Sequence, residues 1–476
     1  MRSGKTDEKS KVLFIEPGVK TTKFLPIGIV TLAGFLRNEG HPVSIRDYSG
    51  KDINNQEIIS AIKNENPKYV GIRVLTGPHI PRALKISKIA KQMGKTVIWG
   101  GPHPTILPEQ TLENKFIDAV VVGEGEYALL DLIKYLEGKK VTPLGSGIKE
   151  KGKIKLFPPQ KKSVNLEETP LPAWDLLKNI NEYFPSKENN TFVVVASRGC
   201  PFKCAFCHNT NENVRKYLGC YRVLSAEKAL KEYEFVQSLI KNKIGFLDAD
   251  SDYHLVSKEY ANQWCDTMDK KAPYLKWSTC ARYSTIDLEM IDRIAKSNCI
   301  RINLGVESGS RRIQKLNNKV IELPRAIKIA KALQKRKIFL INTYIFGHPT
   351  ETLSELKQTM RYIKKLPASL SLVQIYRPIP GTPYYDMCIQ EKKMLPFKKL
   401  EDWDTFGIMK KDINVSRVPS GKLFFYFYLV NIREQLKEFI NTQKYNLRNN
   451  FYSEFFLSFI NNRVIKKLKE VLNYRN

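Results

Sequence analysis

Short apolar runs alternate with amphipathic stretches along most of this 476-residue chain, and they do so in two separate series. A strand of a parallel sheet is a continuous apolar run because helices cover both faces of such a sheet. The runs of the first series lie at residues 12–17, 43–48, 69–75, 96–101 and 119–126, and the stretches between them lie at 27–38, 52–64, 80–93 and 127–137. This alternation predicts a doubly wound, Rossmann-like α/β domain over residues 11–140.

The second series predicts a larger parallel sheet over residues 191–390. Its six runs lie at residues 191–200, 244–250, 276–282, 300–308, 339–347 and 372–378. Because helical stretches separate them, we expect a partial (β/α)6 barrel of the TIM-barrel type. The functional side chains of such a barrel gather at the carboxyl ends of its strands, and each run ends there in polar residues or glycine.

The remaining segments lack this alternation. Residues 1–10 are polar and predict a flexible tail. Residues 141–190 are rich in proline, lysine, asparagine and glutamate, which predicts an extended linker between the two domains. Residues 391–476 are basic and aromatic and predict a mostly helical C-terminal region whose apolar side chains pack on the barrel. Two other interpretations of this region stay open, namely a lid over an apolar substrate and a surface in peripheral contact with an anionic membrane.

The chain carries 78 Lys and Arg against 48 Asp and Glu, a net charge of +30. This charge favours anionic partners, but lysines that merely solvate helix faces explain it equally well. The sequence has no RNA-binding signature, so nucleic acid is not an expected partner. A polar N-terminus without a signal-peptide core, and apolar stretches far shorter than the roughly 20 residues that cross a bilayer, predict a cytoplasmic protein.

Three of the eight cysteines, Cys200, Cys204 and Cys207, lie within eight residues at the end of the first run of the second series. Eight scattered cysteines do not make a disulfide scaffold, so this cluster indicates metal binding. Three thiolates at CxxxCxxC spacing can bind three corners of a 4Fe-4S cluster and leave the fourth iron open for a substrate. The alternative is a zinc site completed by His208 or another cysteine, although zinc sites are usually built from two paired halves.

This motif, with the aromatic Phe206 before its last cysteine, resembles the signature of the radical S-adenosylmethionine superfamily. The resemblance implies that the open iron binds the amino and carboxylate groups of S-adenosylmethionine. An electron from the cluster, supplied by a donor such as flavodoxin or ferredoxin, would then release a 5'-deoxyadenosyl radical. Cys200, Cys204 and Cys207 would be the metal ligands and the catalytic residues, and Phe206 would lie near the adenine.

Five further residues match positions at which this superfamily binds S-adenosylmethionine. Asp248 and Asp250 resemble the acidic motif near the methionine amino group. Arg282 would pair with the carboxylate, because a guanidinium matches two oxygens. Glu307 resembles the ribose-binding acid of the fourth strand, and Gly347 resembles the glycine motif of the fifth strand beside the adenine.

The first domain resembles the cobalamin-binding domain that precedes the barrel in one large subgroup, which includes class B methylases and anaerobic ring cyclases. Glycine pairs after its strands allow the backbone to approach a bulky ligand. Residues 11–140 lack the DxHxxG motif that supplies a histidine to cobalt, and Asp252-Tyr-His254 matches only its first part. Cobalamin without such a histidine is therefore expected. Its candidate binding residues are Thr76, Gly100, Gly101, His103, Gly123, Glu124, Gly125 and Glu126.

Together these features predict a cobalamin-dependent radical enzyme that methylates an unactivated carbon. One S-adenosylmethionine would methylate cobalamin, and a second would yield the radical that abstracts a substrate hydrogen. An oxidative cyclase or rearrangement enzyme without methyl transfer stays an alternative, and so does a non-catalytic cofactor-binding sensor or scaffold. The expected substrate is a small or lipid-like molecule.

Overall fold

The first apolar series forms the parallel part of a seven-stranded sheet with the order β2-β1-β3-β4-β5-β6-β7. The structure is a computed structural model and describes residues 9–21, 23–187, 190–249, 253–406 and 414–445. The predicted flexible tail, residues 1–10, lies almost wholly outside them. The five parallel strands are β1 (Val12–Glu16), β2 (Val43–Asp47), β3 (Tyr69–Arg73), β4 (Thr96–Gly100) and β5 (Ala119–Val121).

Helices cover both faces of this sheet. Successive residues of β1 enter opposite cores, with Val12 and Phe14 in one cluster and Leu13 and Ile15 in the other. The strand order reverses between β1 and β3, and ligands of doubly wound sheets bind beside such a reversal. The helices of the domain are α1 (Ile27–Asn38), α2 (Asn55–Glu65), α3 (His79–Gln92), α4 (Pro102–Ile106), α5 (Pro108–Glu113) and α6 (Gly125–Leu136).

The predicted linker contributes two strands to the same sheet. β6 (Ser146–Glu150) pairs antiparallel with β5, and β7 (Lys153–Leu156) pairs antiparallel with β6. The structure differs from the prediction here because β7 is almost wholly exposed and alternates lysine with aliphatic residues. An exposed edge strand of this kind has no apolar run for the sequence to show.

The second apolar series forms a six-stranded, all-parallel half-barrel, as the sequence predicts. Its order is β15-β14-β13-β12-β11-β8, so each strand lies beside its predecessor. The strands are β8 (Asn190–Val193), β11 (Ile244–Asp248), β12 (Lys276–Ala281), β13 (Cys299–Glu307), β14 (Phe339–Phe346) and β15 (Leu370–Ile375). The covering helices are α8 (Ala226–Leu239), α9 (Lys258–Lys271), α10 (Leu288–Lys296), α12 (Leu323–Lys335) and α13 (Leu353–Lys365).

Alternation along β13 shows which side of the half-barrel holds the polar groups. Ile302 and Leu304 join the main hydrophobic core beneath the helices. The intervening Arg301 and Asn303 therefore lie on the opposite, inner face. The domain also contains the short elements β9 (Ser197–Arg198), α7 (Glu212–Leu218), β10 (Arg222–Val223), α11 (Arg311–Leu316) and α14 (Pro383–Gln390).

The C-terminal helix α15 (Ser420–Tyr445) covers the open edge of the half-barrel beside β15. The Ser371 backbone N–H donates to Glu434 Oε2 at 2.9 Å, and Asn431 Nδ2 donates to the Val373 carbonyl at 3.3 Å. The edge strand is thus protected by side chains of the helix. These contacts support packing on the barrel as the role of this helix. No described helix is both long and apolar enough to cross a bilayer.

A second C-terminal segment returns to the N-terminal domain. Trp403 is fully buried in the core beneath α3, and its indole Nε1 donates to Gln110 Oε1 at 2.7 Å. Gln110 in turn donates to the Phe397 carbonyl at 2.9 Å. This segment therefore fastens the chain beyond the barrel to the first domain.

The linker is fastened to the barrel by a buried hydrogen bond. Trp174 is fully buried, and its Nε1 donates to Glu232 Oε1 on α8 at 2.9 Å. Burial raises the pKa of Glu232 from 4.5 to about 7, although the Trp174 hydrogen bond and the charges of Lys228 and Arg198 act in the opposite direction. The native protein consequently holds a proton on Glu232 at pH values where the unfolded chain has lost it.

This proton gives a testable pH dependence. Between 4.5 and about 7 the folded state binds more protons than the unfolded state, so the Glu232 contribution to stability falls as pH rises through this window. We expect Glu232→Gln, which keeps an oxygen for Trp174, to raise the melting temperature at about pH 8 and to change it little at about pH 4. Glu234→Gln, on the exposed face of the same helix, is the control. Equal shifts for Glu232→Gln at both pH values would contradict the expectation.

Candidate active site at the domain junction

The three clustered cysteines lie on the loop between β9 and α7, at the carboxyl edge of the half-barrel. All three thiols are half-buried. Backbone hydrogen bonds fix the middle of the loop, because Ala205 N–H donates to the Asn317 carbonyl at 3.2 Å and Tyr384 N–H donates to the Ala205 carbonyl at 3.3 Å. Among the described residues no three His, Cys, Asp or Glu side chains converge on a single ion. A 4Fe-4S cluster needs no such convergence, since each thiolate binds its own iron.

Arg282 lies directly against this loop. Its Nη1 donates to Cys204 Sγ at 3.5 Å, and its guanidinium stacks 3.8 Å from the centre of the Phe202 ring. A positive charge at this position complements the negative charge of a cluster bound by thiolates. The predicted pairing of Arg282 with the carboxylate of S-adenosylmethionine stays a prediction.

Phe206 and Gly347 lie on the side of the loop next to β14. Phe206 is half-buried and packs against a cluster that includes Tyr376 and Tyr384. Gly347 has a φ of +80°, a value that favours glycine. Its N–H donates to the buried Glu351 at 2.7 Å, which shapes the turn after β14.

Glu307 ends β13 as one half of a buried ion pair. Lys319 Nζ donates to Glu307 Oε1 at 2.7 Å, and each side chain is 9% exposed. A Cβ on Gly305 would lie 2.3 Å from both of these atoms, so a larger residue there would displace the pair. Glu307 itself has a φ of +68°, a strained value for a glutamate.

Asp248 is engaged inside the half-barrel. Arg301 Nη2 donates to its Oδ2 at 2.6 Å, and the Ser278 hydroxyl donates to its Oδ1. Both oxygens therefore have partners within the protein, whereas the resemblance implies that Asp248 faces the methionine amino group. Asp250, the second acidic residue of that motif, lies outside the described residues.

A cavity of about 410 Å³ opens at the carboxyl ends of β1, β3, β4 and β5, beside the reversal of strand order. Most of its wall is aliphatic side chain or glycine backbone. A Cβ on Gly100 would meet no atom closer than 3.8 Å, so packing within the protein leaves this part of the wall open for a ligand. Six of the predicted residues line the cavity: Gly100, Gly101, Gly123, Glu124, Gly125 and Glu126. Val195 and Arg198 of the half-barrel line it as well.

The two glutamates of this wall pair with arginines of the half-barrel. Arg198 contacts Glu124 Oε1 at 3.0 Å and Glu126 Oε1 at 2.7 Å, and Arg222 Nη1 contacts Glu124 Oε2 at 2.9 Å. Burial alone would lower the pKa of Arg198, but the two carboxylates raise it. We call these four side chains the junction cluster. Glu124 and Glu126, predicted as cofactor ligands, thus join the two domains.

Thr76 and His103 lie behind the cavity wall. The Thr76 hydroxyl and His103 Nδ1 are 3.2 Å apart, and the imidazole contacts the ring of Trp403. Burial lowers the pKa of His103 to about 3, which keeps it neutral. His254 is also a core residue, hydrogen-bonded to Thr279 at 2.9 Å. Neither histidine lies in the cavity wall.

Arg73, Arg198 and Lys319 are site residues that the sequence interpretation missed. Arg73 lines the cavity, and its Nε donates to the buried Glu16 at 2.5 Å. Glu16 ends β1 and Arg73 ends β3, so a charged residue at the carboxyl end of an apolar run was the available signal. Lys319 has no such signal, because it precedes a helix in a polar loop.

These features define the class of protein. A doubly wound domain presents a glycine-rich cavity to a parallel half-barrel, and the barrel carries three thiols and a basic side chain at the same junction. This is the architecture of a two-domain metalloenzyme that brings a large cofactor close to an iron-sulfur cluster.

Comparison with known proteins identifies the family. Residues 20–133 match the B12 binding domain, and residues 194–363 match the radical SAM superfamily. An uncharacterized methyltransferase of Pyrococcus horikoshii is 31% identical over 78% of this chain and 80% of its own length. The chain therefore belongs to the radical S-adenosylmethionine superfamily, in the group with an N-terminal B12-binding domain, as predicted.

Two further relatives span similar lengths. The anaerobic magnesium-protoporphyrin IX monomethyl ester cyclase of Rubrivivax gelatinosus is 22% identical over 94% of this chain and 84% of its own length. The radical S-adenosylmethionine methyltransferase TsrM of Kitasatospora setae, solved with cobalamin and a 4Fe-4S cluster, has a TM-score of 0.67 at 18% identity. It covers 80% of this chain and 75% of its own, and shows the same fold.

The residues present fit the cofactors of this family. Three thiols beside the Arg282 guanidinium suit a 4Fe-4S cluster with one open iron for S-adenosylmethionine. The open wall at Gly100 and the aliphatic lining suit cobalamin. The predicted cofactors are therefore the cofactors of this enzyme.

Cysteine substitution tests the cluster ligands. We expect Cys204→Ala to lose the brown chromophore, to lower iron from about four per chain towards background, and to abolish S-adenosylmethionine cleavage. Cys220→Ala, which removes an exposed thiol outside the motif, should retain all three. Iron analysis and 5'-deoxyadenosine formation measure the outcome, and cleavage that survives in Cys204→Ala would refute the cluster assignment.

The buried pair of Glu307 and Lys319 allows a second test. Lys319→Met leaves a buried carboxylate without its partner, which costs about 3–5 kcal/mol of stability and should lower the melting temperature. If Glu307 accepts the ribose hydroxyls, loss of the lysine that holds its carboxylate in place also weakens S-adenosylmethionine binding by about tenfold. The double variant Lys319→Met with Glu307→Gln should regain the melting temperature but not the affinity. Wild-type affinity in equilibrium dialysis of the double variant would exclude ribose binding by Glu307.

Proposed function

We propose that this enzyme methylates an unactivated carbon of a small molecule. The observation that carries the proposal is the shared wall of the cavity, which joins glycines of the B12-binding domain to Val195 and Arg198 of the half-barrel. A methyl group carried in the cavity and a radical formed at the cysteine loop would thus arise at one junction. The methyltransferase name of the Pyrococcus horikoshii relative supports the same reaction.

The cluster and cobalamin, when bound, supply an electron and a methyl carrier. The three cysteines would hold the cluster, while Arg282 balances its negative charge. Glu307, fixed by Lys319, would accept hydrogen bonds from the ribose and so orient S-adenosylmethionine. This pair and the pair of Asp248 with Arg301 are both buried, so these charged groups are shielded from water.

Product analysis tests the reaction. Anaerobic, reduced holoenzyme is incubated with methyl-labelled S-adenosylmethionine and small-molecule fractions of a cell extract, with Cys204→Ala as the control. We expect S-adenosylhomocysteine, 5'-deoxyadenosine and one labelled product to appear together in equal amounts by mass spectrometry. The labelled product then identifies the substrate.

The same measurement separates the alternatives. A relative that is a ring cyclase matches 94% of this chain, so cyclisation or another oxidation is the second candidate. That reaction would yield 5'-deoxyadenosine without S-adenosylhomocysteine. A sensor or scaffold would yield neither from reduced enzyme that contains its cluster. Either result would overturn the methylase proposal.

The proposal also implies where the enzyme acts and which protein reduces its cluster. We expect a cytoplasmic enzyme whose cluster is reduced by flavodoxin or ferredoxin. A lipid-like substrate would agree with peripheral membrane contact through the C-terminal region. The exposed Leu395, Phe425 and Leu429 are described apolar side chains of this region that are available for such contact.

A further inference from the structure

The junction cluster lies between the cavity and the cysteine loop. Its carboxylates are shielded from water, since Glu124 is 9% and Glu126 is 2% exposed, while Arg198 is 21% exposed. Arg222 adds hydrogen bonds to the carbonyls of Val164 and Leu218, at 2.7 and 2.8 Å. These charges are too buried to act as an ordinary surface ion pair, and their geometry fixes the arginine planes.

Strand pairing explains why Glu124 is needed. Arg198 and Arg222 are direct partners in the antiparallel pair of β9 and β10, so two like charges face each other. Glu124 accepts hydrogen bonds from both, through Oε1 and Oε2. A carboxylate of the N-terminal domain thus completes a small ribbon of the half-barrel, and the ribbon requires the domain contact.

Arg198 connects three parts of the site. It lines the cavity, it reaches Glu126 at the start of α6, and it precedes Cys200 by two residues. Among the described residues, Arg222 forms an ion pair with Glu124 and does not line the cavity. Any displacement of Arg198 relative to α6 therefore moves the cysteine loop relative to the cavity wall.

We propose that Arg198 is a positioning residue that fixes the distance between the iron-sulfur cluster and the cobalamin through Glu124 and Glu126. This inference rests on the proposed function for its purpose, because transfer between two cofactors needs them in one relative position. Arg198 acts through the glutamates and not as a cofactor ligand. Its Nη1 and Nη2 already donate to carboxylates of the protein, so its charge is satisfied without cobalamin.

A distance measurement on the holoenzyme tests the proposal without relying on activity. Pulsed electron paramagnetic resonance gives the distance distribution between the reduced cluster and cobalt(II) of the bound cobalamin. We expect Arg198→Gln to broaden this distribution while iron and cobalamin per chain stay at wild-type values. Arg198→Lys offers a single ammonium to two carboxylates, so its distribution should be intermediate in width between those of the wild type and Arg198→Gln. The matched control is Arg37→Gln, which removes an exposed ion pair between α1 and Asp175 of the linker and should leave the distribution unchanged.

A double-variant comparison shows whether Arg198 acts through Glu126. We expect Glu126→Gln to broaden the distribution as well, and Arg198→Gln combined with Glu126→Gln to be no worse than Arg198→Gln alone. The ratio of S-adenosylhomocysteine to 5'-deoxyadenosine should fall at least tenfold in Arg198→Gln. Wild-type enzyme that forms no S-adenosylhomocysteine would refute the methylase function and leave the distance result to decide the positioning role.

Two outcomes would overturn the positioning role. A distribution of wild-type width in Arg198→Gln would show that the residue does not fix the distance. Loss of cobalamin at unchanged width would instead make Arg198 a cofactor ligand. If Arg198→Gln fails to fold, Arg198→Lys and Glu126→Gln provide the same comparison of distribution widths with the wild type.

Discussion

Parallel strands bring their carboxyl ends to one edge of a sheet, and in this protein two such edges meet. The edge of the doubly wound sheet provides the glycine-rich wall of the cavity, and residues that follow β8 provide the opposite wall. The cysteine loop, Arg282, Glu307 and Gly347 follow or end strands of the half-barrel at that same edge. Every functional feature described above depends on this meeting of two strand edges, since it brings residues far apart in the chain to one junction.

Charge at such a junction must be paired, because a buried ion without a partner is expensive. The structure meets this requirement with separate ion pairs: Glu16 with Arg73, Asp248 with Arg301, Glu307 with Lys319, and the junction cluster. Each pair fixes the orientation of a charged side chain. The same pairs leave the aliphatic and glycine surfaces of the cavity free for the ligand. Ion pairing therefore lowers the free-energy cost of burying these charges, and it also shapes the site.

Local patterns were enough to predict most of the elements and the family, whereas the three cysteines stay predicted metal ligands. The helix predicted at residues 27–38 is observed at Ile27–Asn38, and all five strands of the first series form where apolar runs lie. The cysteine spacing predicted the family, because three thiolates that bind one cluster must come from a short loop. The exposed strand β7 was missed since its residues face water. The position of Trp403 was not predicted, because no pattern in the neighbouring sequence shows that it packs beneath α3.

The sequence by itself determined the order of strands and helices, the two-domain α/β class and the three thiols, since these depend on periodicity and spacing within short segments. Only the tertiary structure decided which charged residues meet. Arg198 and Glu124 are 74 positions apart, and Asp248 and Arg301 are 53 apart. The GEGE segment predicted cofactor contacts, which stay a prediction, and the structure shows in addition that its glutamates contact arginines of the other domain. Pairing across sheets depends on where folded edges come together, and no local pattern encodes that position.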